Sequence, residues 1–274
     1  MKIKIFLGPA GIPLSCEKRD TIEGIKTVNA LGLNAMEVEF VHSVYMKREV
    51  AEEAGRVARD LGVRLSIHAP YYINLSSEKR ETVAASRKRI FDCADRGERM
   101  GADAIAIHSA FYGKNEKERV FEIVKEQFLK ILDDMKGAGI KNVRLGTETM
   151  AKQSQFGTLD EVLRLHKEVK QVIPYIDWAH LFVRDGGSIN YGEAFDKIEK
   201  AGINHINSHF EGVSRNKKGE FVDIHTPIKD PPFEPLAREI VKRKIDITII
   251  SESPVLEKDS LRMKQMLEKA GHIF

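Results

Sequence analysis

One cadence constrains this chain more than any other feature. An amphipathic segment closes on a glycine, and a short apolar or β-branched run follows. Leu31-Gly32 leads to Met36–Phe40, Leu61-Gly62 to Val63–His68, and Met100-Gly101 to Ala104–His108. Ala138-Gly139 then leads to Val143–Glu148, and Ala201-Gly202 to His205–Phe210. Glycine fits the left-handed turn that ends a helix, so each pair marks a helix C-terminus ahead of a strand. Adding Ile3–Gly8, Val172–Asp177 and Ile247–Glu252 brings the strands to eight. The intervening segments have helical spacing, as in Val120, Val124, Phe128, Ile131, Leu132 and Met135, or Ile22, Ile25 and Val28. Strands alternating with helices imply parallel pairing through right-handed crossovers. Eight such units predict an α/β fold, a (β/α)8 barrel, with a doubly wound open sheet as the alternative.

Nothing divides the chain. No linker rich in Pro, Gly or Ser interrupts it, so residues 1–274 are expected to form one barrel domain. Lys and Arg exceed Asp and Glu by 44 − 41 = 3, a balance that permits a polyanionic partner without arguing for one. Two cysteines, Cys16 and Cys93, cannot build a disulfide framework, which points to a reducing compartment. The N-terminus runs straight into a strand, and no apolar stretch approaches the length of a membrane span. A monomeric cytoplasmic protein without membrane contact is expected.

In a (β/α)8 barrel the residues that close the strands converge on one face, where active sites sit. Here those residues are unusually uniform. The third strand ends in His68, the fourth in His108 and the fifth in Glu148; the sixth gives Asp177 and His180. The seventh offers His205 with His209 close behind, the next loop carries Asp223 and His225, and the eighth strand ends in Glu252. Any one of these has an ordinary reading: Asp177 as a helix cap, a histidine as a hydrogen-bonded or exposed ring. Five histidines and four carboxylates on one rim do not. They exceed the four donors of a single zinc and suit two or three metals with a bridging carboxylate. Such clusters serve phosphoester hydrolysis, because divalent ions generate the nucleophile and stabilise the leaving oxygen.

The series Ser66-Ile-His68-Ala-Pro-Tyr-Tyr-Ile-Asn74-Leu, Ile107-His108, Glu148, Asp177-x-x-His180, His205-Ile-Asn207, Asp223-x-His225 and Glu252 resembles the endonuclease IV family. Its members are apurinic/apyrimidinic endonucleases on a xylose-isomerase-like TIM barrel. The resemblance runs in order along essentially the whole chain and marks a divergent member. It implies three zinc ions, with manganese able to take part of the set. His68 and His108 would hold the first, with Glu148 bridging to the second. Asp177, His205 and Glu252 would complete the second, and His180, Asp223 and His225 the third. It also implies incision 5′ to an abasic site in double-stranded DNA, leaving a 3′-hydroxyl, with Glu148 positioning the nucleophile.

Tyr71 and Tyr72 stand where family members insert side chains into DNA, although tyrosines at a barrel rim also simply pack. Asn74 is expected to pin that loop. Lys47 and Arg48 after the second strand, and Arg215, Lys217 and Lys218 between His209 and Asp223, could neutralise phosphates. The chain departs from the family in two places. Bacterial members continue the seventh-strand motif as His-Leu-Asn-Asp, whereas Ser208 and His209 follow Asn207 here. Thr226-Pro-Ile-Lys-Asp-Pro-Pro replaces a Gly-Glu-Gly stretch. His209 reads either as a group behind the ligands or as a substrate contact. The alternative function is a sugar isomerase or epimerase on the same barrel, which would leave His68, His108, Asp223 and His225 without a metal to bind. A lesion-binding protein without turnover is a third reading, opposed by the size of the donor set.

Overall fold

The structure, a computed structural model, describes residues 3–274. Eight strands form one parallel sheet: β1 (Ile5–Pro9), β2 (Ala35–Glu39), β3 (Arg64–His68), β4 (Ala104–Ile107), β5 (Arg144–Glu148), β6 (Val172–Asp177), β7 (His205–Phe210) and β10 (Asp246–Ser251). Their order is β1-β10-β7-β6-β5-β4-β3-β2, a nearly closed barrel. Between β1 and β2 the pairing is reduced to a single bridge, Ala10 to Glu37. Asn34 stitches this gap: its Oδ1 accepts from Leu7 N at 2.7 Å and its Nδ2 donates to Ile5 O at 3.0 Å.

Helices α1 (Thr21–Ala30), α2 (Arg48–Leu61), α3 (Arg80–Met100), α4 (Lys117–Gly137) and α5 (Leu159–Glu168) surround the first half of the barrel. The short α6 (Trp178–Arg184), then α7 (Tyr191–Lys200), α8 (Glu234–Arg243) and α9 (Glu257–Lys269) complete the ring. The cadence that predicted these ends holds: Gly32, Gly62, Gly101, Gly139 and Gly202 all take left-handed backbone, with φ between 65° and 78°. The starts of α1, α5, α6 and α7 are fixed by side chains. Asp20 accepts from Glu23 N ahead of α1, and Thr158 and Glu161 form a reciprocal capping box on α5.

One element was not foreseen. The segment expected to be a loop after the seventh strand is an antiparallel hairpin, β8 (Gly212–Arg215) and β9 (Phe221–Thr226), a sheet of its own. Its signal was the alternation in Phe221–Thr226, with Asp223 and His225 on one face and Ile224 61% exposed on the other.

Inside the barrel, side chains point inward at every second residue. On β7 these are His205, Asn207 and His209, and on β3 Arg64, Ser66 and His68. Tyr175 fills the centre, and Gly146 beside it keeps the space open. A Cβ at Gly146 would stand 2.8 Å from Ile105 O and 3.0 Å from the Tyr175 ring. The Tyr175 hydroxyl crosses the barrel to donate to Glu37 Oε2 at 2.8 Å. The interior is therefore packed, and it becomes more polar toward the carboxyl ends of the strands.

Candidate metal centre

The strand ends bring three donor groups together. His68, His108 and Glu148 form one, and Glu148, Asp177, His209 and Glu252 form a second that shares Glu148 with the first. His180, Asp223 and His225 form the third. Glu148 is fully buried and lies at the junction. Its Oε2 stands 3.0 Å from His108 Nε2 and 3.6 Å from His68 Nε2, while its Oε1 accepts from His209 Nδ1 at 2.8 Å. In the third group Asp223 Oδ1 lies 3.3 Å from both His180 Nε2 and His225 Nε2.

The imidazoles are oriented from behind. His68 Nδ1 bonds to Ala69 O at 2.8 Å, His180 Nδ1 to Thr149 O at 2.9 Å and His225 Nδ1 to Glu252 O at 3.1 Å. A ring that donates Nδ1–H to a carbonyl presents the Nε2 lone pair to the site, the tautomer a metal ligand needs. His209 is held from the other nitrogen, donating Nε2–H to Glu37 Oε1 at 2.7 Å. Glu37 also accepts from Ser66 Oγ and Tyr175, so its buried carboxylate is well supplied with donors. Asp177 serves two ends at once. Its Oδ1 caps α6 by accepting from His180 N at 2.6 Å, and its Oδ2 is buried without a partner. The capping role and the ligand role are compatible because they use different oxygens.

Charge explains why such a rim calls for cations. Fully ionised, Glu37, Glu39, Glu148, Asp177, Glu211, Asp223 and Glu252 would outnumber five protonated imidazoles, and without a cation burial relieves that excess by pushing Glu39 and Glu211 toward their protonated forms. The titrations express this. Burial opposes charge on His68, but the Glu148 carboxylate beside it and the charges of Glu39 and Glu252 raise it to about 10. Burial likewise opposes His225, which its bond to Asp223 and the charge of Glu211 raise to about 10. His209 and His180 also rise well above the usual histidine value against burial, driven by the surrounding carboxylates. Among the acids, burial lifts Glu39 to about 8 and Asp177 to about 6. Glu148 falls well below the carboxylate range despite burial, because His108 and His209 flank it. Protons on these rings mark the positions a divalent ion would take over. The donor set, imidazole nitrogens with carboxylate oxygens, fits zinc or manganese, and the unpartnered atoms Glu148 Oε2, Asp177 Oδ2 and His180 Nε2 all belong to it.

The expectation for His205 fails on depth. His205 begins β7, pairs with Asp246, and bonds to Thr248 Oγ1 at 2.8 Å at the amino end of the barrel. His209 points to the same inward face four residues later, about 13 Å further along the strand. It takes the place expected for His205, and the other eight expected donors meet in the three groups. In register with His209, the family's His-Leu-Asn-Asp runs His209-Phe210-Glu211-Gly212. The sequence reading also missed Glu37, Glu39 and Glu211. The first two carried a signal, two glutamates at alternate positions of an otherwise apolar buried strand.

Around the centre, the Tyr71 ring lies 5.4 Å from His68 and 5.8 Å from His108, and Tyr72 stacks on His42 at 5.9 Å. The two tyrosines are 49% and 60% exposed, so each rests one side against histidines and leaves the rest of its ring open to solvent. Asn74 Oδ1 accepts from Ser76 N and Oγ, tying its loop back on itself. Lys47 precedes α2, and Arg48 is engaged with Asp95 at 3.1 Å, which weakens its case as a phosphate contact. Arg215 lies over the Phe221 ring at 3.7 Å, while Lys217 and Lys218 are exposed at the hairpin tip. Arg215 and Lys218 line a hollow that reaches Asp223.

A polar, donor-rich rim at the carboxyl ends of eight parallel strands defines the class, the barrel enzymes whose chemistry sits on that face. Within it, the chain belongs to the xylose isomerase-like TIM barrel family, whose sequence pattern matches residues 25–270. An uncharacterized protein of Methanocaldococcus jannaschii is 34% identical over 95% of this chain and 96% of its own. The apurinic-apyrimidinic endonuclease of Caenorhabditis elegans is 26% identical over 76% of this chain, which spans 56% of that longer protein. Among solved structures, endonuclease IV from Thermus thermophilus superposes with a TM-score of 0.72 at 20% identity, covering 96% of this chain and 98% of that one. A D-tagatose 3-epimerase-like protein does so with 0.73 at 16% identity, covering 98% and 97%. At those identities the structural likeness speaks for the fold. Among the described residues no helix is long and apolar enough to cross a membrane.

Proposed function

We propose that this protein is a metal-dependent phosphodiester hydrolase that incises DNA 5′ to abasic sites through a trinuclear zinc centre. One observation carries the reading: a second and a third donor group flank the set Glu148, Asp177, His209 and Glu252. A sugar isomerase or epimerase, the reading favoured by the epimerase-like barrel, needs that set alone, because one metal suffices to polarise a carbonyl and hydroxyl. It leaves His68, His108, His180, Asp223 and His225 without work. Bound zinc would supply Lewis acidity and lower the pKa of water to about 7, so no separate strong base is required. The protein's own part is placement. Glu148 ties the first group to the second, Glu37 fixes the ring of His209, and the backbone carbonyls of Ala69 and Thr149 set His68 and His180. Tyr71 and Tyr72 offer exposed aromatic faces for a disrupted base stack, and Lys217 and Lys218 offer charge to phosphates.

The test is incision of a duplex bearing one abasic-site analogue by zinc-loaded protein, with metal content measured on the same sample. Cleavage 5′ to the lesion with close to three metals per chain is expected, and Glu148→Gln should lose at least about a thousandfold in rate while remaining folded. One metal per chain with no cleavage, but turnover of a ketose, would replace this reading by the epimerase.

A further inference from the structure

Glu211 belongs to none of the positions that the resemblance assigns to a metal. It follows β7 two residues beyond His209 and is fully buried, and both of its carboxylate oxygens lack a hydrogen-bond partner. The nearest basic atom is His225 Nε2, 4.0 Å from Oε1. An ionised carboxylate buried in this way is uncompensated, and a protonated one would still need an acceptor for its O–H. Neither form is satisfied by the protein around it. Glu211 does have donors of metal-ligating type within reach on two sides. One of its oxygens groups with Asp177 and His180, and one with His225 and Glu252. Those residues belong to the second and third groups, so Glu211 stands between them as Glu148 stands between the first and second.

We propose that Glu211 is an additional carboxylate ligand for a divalent cation such as zinc or manganese, joining the second and third metal positions. The inference rests on the rim being a metal centre and not on DNA being its substrate.

The full-length chain, Glu211→Gln and Glu220→Gln, a control in the exposed part of the hairpin, would be stripped with a chelator and reloaded with zinc. Glutamine keeps the shape and removes the charge. If Glu211 binds metal, its substitution acts on the loaded form and spares the stripped one. The stripped variant should melt close to the stripped parent, because a buried carboxyl without partners takes its neutral form when no cation is bound, and glutamine is a neutral group of the same shape. The zinc-loaded variant should gain less from zinc and hold its weakest-bound zinc on the order of a hundredfold less tightly in chelator competition. The visible spectrum of the cobalt(II)-loaded protein should also change, and Glu220→Gln should match the parent throughout. Parallel melting shifts in both forms, with unchanged zinc stoichiometry and an unchanged cobalt spectrum, would overturn the proposal. No DNA enters these measurements, so a zinc-loaded parent that leaves abasic duplex intact would sink the hydrolase reading and spare this one.

Discussion

His205 and His209 make a controlled comparison inside one strand. Both lie on β7, face the barrel interior and are crossed by neighbouring strands in regular register. Four residues of depth separate their fates. At the amino end, burial and the positive charges of Arg64 and Arg144 lower His205 to about 4, so it is a neutral ring bonded to Thr248. At the carboxyl end His209 sits between Glu37 and Glu148 and is driven well above the ordinary histidine value. Residue type and strand face are identical. What differs is the sign of the charge surrounding each level of the barrel, cationic below and anionic above.

The comparison breaks most visibly in metal content. His209→Ala should lose metal at the second position and reduce incision by more than about a hundredfold, whereas His205→Ala should leave metal stoichiometry at the parent value. Elemental analysis of both variants checks this, and equal losses would mean that depth is not the deciding variable. A smaller effect is expected one residue removed. Glu37→Gln keeps an acceptor for His209 Nε2 but removes the charge behind it, so zinc affinity should fall by about ten- to a hundredfold with the fold intact. An unchanged affinity would show that the ring needs no support from Glu37.

The smallest effect belongs to the amino end, where pH is the probe. His205 has a folded pKa below its unfolded value of about 6.5, so between roughly pH 4 and 6.5 the unfolded chain binds more protons than the folded one. Its contribution to stability is therefore present above pH 6.5 and lost as pH falls toward 4. Denaturant unfolding of the parent and of His205→Gln should show the parent losing more stability over that window, by up to about 3 kcal/mol. Parallel pH profiles would place His205 in a more solvated setting.

The barrel was legible because its signals are local. Glycine at helix ends and apolar runs of strand length need no knowledge of tertiary contacts, and five such glycines do adopt the left-handed backbone that the reading required. The donors were legible as strand-closing residues, except where two histidines lay on one strand. Choosing between His205 and His209 requires knowing where a strand enters and leaves the sheet, and that is set by pairing with β6 and β10. Glu211 was invisible for a different reason. A single glutamate beside a glycine has no periodicity, and only the loss of every partner on burial singles it out.

The β8/β9 hairpin has a consequence for how many ions the protein can hold. The barrel's own strands, with Glu148 at their centre, supply the first two groups, but Asp223 and His225 arrive on a ribbon outside the main sheet. That ribbon leans on α6 through Val213 against Ala179 and Phe182 and through Phe221 against Phe182, and it is tied to the end of β10 by the bond of His225 Nδ1 to Glu252 O. It is thus a clasp rather than a stave. On the trinuclear reading proposed above, an ion held by His180 together with Asp223 and His225 would latch this ribbon to the barrel, so losing that ion would loosen the clasp before it touched a stave.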